Sequence, residues 1–245
     1  MENMKNSISV STSKIYKYIL FYKKEFIAGV AAVIGIIVVG VGYSFYMDSV
    51  QRRAHDSFVE AIKYFDSKVV TKDEEKDDLL DLDKYTFSSG EEKWNKVITV
   101  FQNGYEQNKS AGIAPMFLAY ESEALLNLKK LPEAIIKLKG AVKLMAKSGI
   151  KTAYKVKLAL MQIDSGNKEQ ALEGVSVLKT VSLEQRQPLQ DMILYRLGEY
   201  YWYQKELDNA KNYWNRLILK YGKSLEEPSW WVSQAKPKLK LISAK

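Results

Sequence analysis

From Phe26 to Tyr46 the chain reads FIAGVAAVIGIIVVGVGYSFY, with no charge in 21 positions. At about 1.5 Å of rise per residue, such a run crosses the roughly 30 Å hydrocarbon core of a bilayer as a single helix. Beyond it the pattern turns amphipathic. Apolar residues return every three or four positions with short polar steps between, which predicts helices throughout and an all-α chain.

The stretch LGEYYWYQKELDNAKNYWNRLILKYG, residues 197–222, shows the period most clearly. Leu194, Leu197, Gly198 and Tyr201 share one helical face, KELDN supplies a turn, and Ala210, Trp214, Leu217 and Ile218 rebuild an apolar face. Gly222 follows as a helix-ending residue. Gly198 and Ala210 are small, so the two axes can approach closely as an αα-hairpin.

Leu197-Gly198, Tyr201, Ala210 and Trp214 resemble the tetratricopeptide pattern, with Leu194 in place of its Trp and Gly222 in place of its closing Pro. The spacing recurs twice in weaker form. Leu118, Ser122, Leu125, Ala134, Leu138 and Ala141 hold the same relative positions, with a turn at Lys129-Lys130-Leu131. So do Leu158, Ala159, Ala171, Val175 and Leu178, with a turn at Ser165-Gly166-Asn167. Alanines at 134, 171 and 210 give periods of 37 and 39 residues, against about 34 in the standard repeat. The excess falls in the loop-like segments SGIKT (148–152) and SLEQRQP (182–188).

An earlier, interrupted repeat is expected next to the apolar run. Ala54, Phe58, Ala61, Ile62 and Phe65 form one face, and Trp94, Val97, Ile98, Phe101 and Tyr105 another. Between them lies KDEEKDDLLDLDKYTFSSG, an acidic insertion that lacks the glycine and terminal glutamate of an EF-hand and reads as a solvated loop. At the other end Trp231, Ala235, Leu239 and Ile242 predict a capping helix, which a solenoid needs to cover its last apolar face. Pro237 inside it removes one backbone hydrogen bond and predicts a kink or a late start. The expected organisation is a tail at 1–25, a transmembrane helix at 26–46 and a tetratricopeptide-like solenoid at 47–245, with the acidic insertion at about 71–90.

The flanks set the expected orientation. Lys14, Lys17, Lys23 and Lys24 precede the apolar run and Arg52 and Arg53 follow it, a bias that favours a cytoplasmic N-terminus. Tyr16, Tyr18 and Tyr22 on one side and Tyr43, Phe45 and Tyr46 on the other suit the two interfaces. Gly40 and Gly42 have the spacing of a signal-peptide cleavage site, but the apolar run and the segment before it are both long, which favours an uncleaved anchor. Ala28, Ala31, Ala32 and Gly35 are small residues at helix-pairing spacing, a pattern common by chance in such segments.

Composition removes several function classes. The chain has no cysteine and one histidine, His55, so disulfides, thiol nucleophiles and the usual zinc sites are excluded. Net charge is +8, yet the lysines alternate with glutamates as on solvated helix faces, without the basic stripe that nucleic acid requires. His55 lies in the polar stretch RRAHDSF without a nominated acid or nucleophile. No enzymatic turnover, cofactor, metal or small-molecule substrate is expected.

The function expected is protein binding. Projected from the repeat alignment, the first helices of the hairpins present Glu123, Leu126 and Asn127, then Val156, Leu160 and Asp164, then Tyr195, Glu199, Trp202 and Tyr203. Tyr and Trp with a few charges are the composition of binding hot spots. Two placements stay open for Trp202 and Tyr203, lining the groove or packing on the capping helix. Ala119, Val156 and Tyr195 stand where carboxylate-clamp repeats carry a lysine, which argues against that binding mode. One anchor followed by a repeat domain is similar to the YfgM-like proteins of the bacterial inner membrane, ancillary subunits of the Sec translocon. That resemblance implies a periplasmic domain whose partners are translocon subunits and a periplasmic chaperone. A scaffold for another envelope complex, in division or outer-membrane biogenesis, fits the same motifs.

Overall fold

The computed structural model describes residues 23–70, 85–184, 189–222 and 229–243. The tail to residue 22, most of the acidic insertion, and part of the loop at 182–188 therefore lie outside the described residues. Nine helices and one two-stranded parallel pair make up the described elements, so the fold is all-α. Contacts divide the chain into two compact units, Met1–Arg53 and Ala54–Lys245.

Helix α1 (Lys23–Phe65) is continuous from one unit into the other. From Ile27 to Tyr46 its side chains are exposed, Ile36 at 72% and Val39 at 71% among them. Gly29, Gly35, Gly40 and Gly42 have no neighbour within reach of an added Cβ. The helix has a mean hydropathy of 2.3 in its most apolar window and buries none of it. Among the described residues it is the one helix long and apolar enough to cross a membrane.

In the second unit, β1 (Lys68–Val69) pairs in parallel with β2 (Thr86–Phe87), and Val70 N–H donates to Phe87 O at 2.9 Å. This short pair joins the two ends of the acidic insertion. Seven helices follow: α2 (Gly90–Gln107), α3 (Ala114–Asn127), α4 (Leu131–Leu144), α5 (Gly149–Asp164), α6 (Lys168–Leu183), α7 (Gln190–Tyr203) and α8 (Leu207–Tyr221). The last helix, α9 (Trp230–Ser243), continues through Pro237.

Local chemistry accounts for most of the helix starts. Ser89, Ser148 and Asn167 cap α2, α5 and α6 by accepting the N–H of Glu92, Lys151 and Gln170. Pro115 and Pro132 occupy the first turns of α3 and α4, where the missing N–H costs nothing. Ser88 donates to the Glu92 carboxylate at 2.6 Å from its hydroxyl and 3.1 Å from its N–H. These bonds hold the Glu92 carboxyl below its ordinary value.

Helices pack most closely as the pairs α3–α4, α5–α6 and α7–α8, and each pair also touches the next. The three turns share one backbone device. Lys129, Gly166 and Lys205 have φ of 60°, 74° and 64°, at positions 37 and then 39 residues apart. Around Lys129, Lys130 N–H donates to Leu125 O and Lys129 N–H to Leu126 O, both at 2.9 Å. Glu206 N–H to Tyr201 O at 2.9 Å and Lys205 N–H to Trp202 O at 3.0 Å repeat the arrangement, the Schellman closure of a helix end.

Each hairpin solves its close crossing differently. In α3–α4 the Ser122 hydroxyl donates to Ala134 O at 2.8 Å. In α5–α6 a Cβ on Gly174 would sit 2.4 Å from Ala159 O, so this glycine makes the approach while the repeat alanine, Ala171, is half-buried. In α7–α8 a Cβ on Gly198 would sit 2.3 Å from Trp214 Nε1, and that indole N–H donates to Tyr195 O at 3.1 Å.

Three apolar clusters run through the unit. The first joins the end of α1 to α2 and α3 through edge-to-face rings, with Phe58 at 5.2 Å from Phe117 and 5.9 Å from Phe101. The second fills the middle around Leu138 and Ala141. The third surrounds the fully buried Trp214, and α9 closes it with Val232 and Ala235 buried and Trp231, Leu239 and Ile242 packed alongside. Trp230 stays 62% exposed.

Candidate functional site

The first helices of the three hairpins, α3, α5 and α7, carry the residues projected onto the binding face. Burial sorts them into columns one repeat apart. Ala119, Val156 and Tyr195 are 3%, 1% and 7% exposed. Glu123, Leu160 and Glu199, one turn later, are half-buried, and Asn127, Asp164 and Tyr203, a further turn on, are exposed. Val156 and Tyr195 are therefore core residues and not an accessible partner surface, because their column points between neighbouring helices. Leu126 is half-buried, and Asn127 bonds its own helix, donating to Glu123 O at 2.9 Å.

The three acids each meet a cation on the next first helix or on the cap. Glu123 of α3 pairs with Lys157 of α5. Asp164 of α5 pairs with Arg196 of α7 at 3.2 Å. Glu199 of α7 pairs with Lys238 of α9 at 3.2 Å, and with Arg196 on its own helix at 2.8 Å. The Glu123–Lys157 and Asp164–Arg196 pairs are partly exposed and worth at most about 1 kcal/mol each, so they set register and polarity more than stability, whereas Glu199 and Lys238 are largely buried at 15% and 20% exposure. Arg196 lies between Asp164 and Glu199, while Glu123 lines a separate cavity. The acids are thus distributed as ties between helices, not gathered around one reacting centre. Among the described residues, no group of three His, Cys, Asp or Glu side chains is placed to hold a metal ion.

Two open cavities mark this face. One of about 250 Å³ is lined by Phe65, Tyr120, Tyr154 and the Glu123–Lys157 pair. The other, of about 470 Å³, lies between the second and third hairpins and includes Asp164, Arg196, Glu199, Tyr200 and Tyr203. Burial raises the Tyr154 phenol above its ordinary value, so it remains a hydroxyl donor at neutral pH.

Trp202 and Tyr203 divide between the two open placements. Tyr203 is 70% exposed at the rim of the larger cavity. Trp202 packs on the third cluster, with Lys238 of α9 at 4.2 Å from its ring centroid. The same ammonium lies 5.8 Å from Tyr195 and 5.9 Å from Trp214, so the capping helix inserts a cation among three aromatic faces and ties it to Glu199. Tyr195 also donates to Glu199 at 3.3 Å, and burial pushes its phenol up.

Sequence reasoning missed Lys157, Arg196 and Lys238. Their separations from the acids, 34, 32 and 39 residues, are close to one repeat. Opposite charges one repeat apart were the available signal. Phe65, Tyr120 and Tyr154 carried no comparable signal, because aromatics on amphipathic helices read as core. No family model and no curated protein matches the chain.

Proposed function

We propose that the chain is a membrane-anchored, tetratricopeptide-like scaffold whose hairpin solenoid binds other proteins along the face of α3, α5 and α7. The observation that carries this reading is the same left-handed turn at Lys129, Gly166 and Lys205 in three consecutive hairpins, with the burial columns in matching register. That regularity is what a stack of like units produces. The exposed aromatic Tyr203 and the two cavities supply contact points of the kind that anchor partners.

The apolar part of α1 is the anchor in this reading, with the N-terminus cytoplasmic and the repeat unit periplasmic. The lysines before it support that direction. The partners proposed are subunits of the Sec translocon and a periplasmic chaperone, on the architectural resemblance to YfgM-like proteins. The scaffold needs no turnover of its own.

The test is site-specific photocrosslinking in native membranes, with one probe at Tyr203 and another at Gly35. Translocon subunits and a periplasmic chaperone in the adducts would support the proposal. Adducts with a division or outer-membrane assembly complex, and none with the translocon, would move the scaffold to that machinery. A protease-protection assay that finds the repeat unit on the cytoplasmic side would overturn the orientation.

A further inference from the structure

An apolar cavity of the second unit opens on the side of the second helices. It lies between α4 and α6 and is floored by α5, with a volume of about 670 Å³. That size is within the range of about 300–1,000 Å³ typical of small-ligand sites. Val142, Leu158, Val177 and Val181 are among its apolar lining, as is Ile136 at 68% exposure.

The equivalent space one hairpin earlier has a charged pair in place of the apolar floor. There the position of Leu158 is held by Glu121, which pairs with Lys137 at 2.8 Å. One hairpin later, Gln190 of α7 accepts from Lys220 and Tyr221 of α8 and donates to Ser182 O of α6 at 2.6 Å. Between α4 and α6, Gly140 and the valines leave the space open.

Its polar groups select the occupant. Lys139 is already paired with Glu173, which also accepts from Gln162. The Thr152 and Thr180 hydroxyls donate to carbonyls of their own helical turns. An extended peptide laid in this cavity would therefore bury N–H and C=O groups without partners, at about 1–3 kcal/mol each. A hydrocarbon chain has no such groups. At the rim, Lys143 and Lys155 have no carboxylate partner among the described residues, and Glu184 is the other acid of the lining.

We infer that this cavity binds a long-chain fatty acid, its acyl chain against Val142, Leu158, Val177 and Val181 and its carboxylate between Lys143 and Lys155. The ligand is bound and not transformed. The inference is independent of the partner face, which shares α5 but uses other residues of it, Leu160 and Asp164, where the cavity uses Thr152, Lys155, Leu158 and Gln162.

The test uses the full chain in phosphatidylcholine nanodiscs and palmitate with a terminal diazirine. Adducts are mapped by tandem mass spectrometry, and those on α1 from acyl chains in the bilayer serve as the internal reference. The expected result is a second group of adducts on α4–α6, competed by unlabelled palmitate and at least about tenfold less by hexadecanol. Val177→Trp, which fills the cavity, is expected to abolish that group and leave the α1 adducts unchanged. Lys143→Glu with Lys155→Glu, a surface change, is expected to reduce it about tenfold. It keeps the test decisive if Val177→Trp does not fold. Adducts confined to α1, adducts insensitive to the lysine reversal, or equal competition by the alcohol would each overturn the inference.

Discussion

Replacing Glu121 by leucine is expected to stabilise the protein, and the structure sets the size of the effect. Glu121 is 2% exposed in α3, with Oε1 on Lys137 at 2.8 Å and Oε2 without a hydrogen-bond partner. A buried polar atom left unpaired costs about 1–3 kcal/mol. Lys137 is one-third exposed and returns only part of that cost. The same register position holds Leu158 and Leu197 in the next two hairpins, 8% and 0% exposed, so the backbone accommodates leucine there. Removing the buried charge while keeping apolar volume gives an expected gain of about 2 kcal/mol at pH 7. For a chain of this size that is a rise in Tm of about 4–8 °C.

The pH dependence provides an independent check. Burial raises the Glu121 carboxyl above its ordinary value, Lys137 opposes the rise and Glu106 adds to it. The folded chain therefore keeps the proton where the unfolded chain has released it. Its favourable contribution is fully present below the unfolded carboxylate range and is lost as pH rises through the folded value. The advantage of Glu121→Leu should be smallest near pH 4 and grow toward neutrality, by at most about 1.4 kcal/mol per pH unit. Thermal melts by circular dichroism at intervals from pH 4 to 7 measure both quantities. A lower Tm at pH 7, or a wild-type difference that is constant across the range, would refute the reasoning.

Three other outcomes follow from the packing. Gly198→Ala places a methyl 2.3 Å from the Trp214 indole nitrogen, so it should destabilise by about 2–3 kcal/mol and blue- or red-shift the tryptophan emission, whereas a melt equal to wild type would show that the hairpin can open. Tyr195→Ala should cost about 3–5 kcal/mol as a core truncation, while Tyr203→Ala should leave the melt within about 0.5 kcal/mol and weaken a bound partner by about 2 kcal/mol; the reverse pattern would reassign the two. Lys238→Met keeps the stem of the side chain and removes the charge over Trp202, so it should loosen α9 by about 1–2 kcal/mol, read as faster hydrogen exchange in α9 alone, and unchanged exchange would mean that Val232 and Ala235 suffice to hold the cap.

Part of the candidate site was legible in the residues. The first-helix face follows from a 3.6-residue period and the 37- and 39-residue spacing, and of the residues projected onto it Asn127, Asp164 and Tyr203 are exposed. Val156 and Tyr195 were misplaced as surface, because a helical projection gives direction from one axis and not how near the next axis comes. All three turns were legible as polar steps, but the positive φ was legible only at Gly166, where glycine is the residue expected, and hidden at Lys129 and Lys205, where a lysine adopts the same conformation.

What the sequence determined by itself was local: the helices, the three hairpin turns between polar steps, and an uncharged run long enough to cross a bilayer. Each depends on residues within a few positions of one another, so the chain order alone specifies it. Only the tertiary structure decided that Lys238 lies over Trp202, that Arg196 joins Asp164 to Glu199, and that the space between α4 and α6 stays open. Those outcomes depend on the distance between helix axes, which is set by whichever small residue reaches the crossing first: Ser122, Gly174 or Gly198.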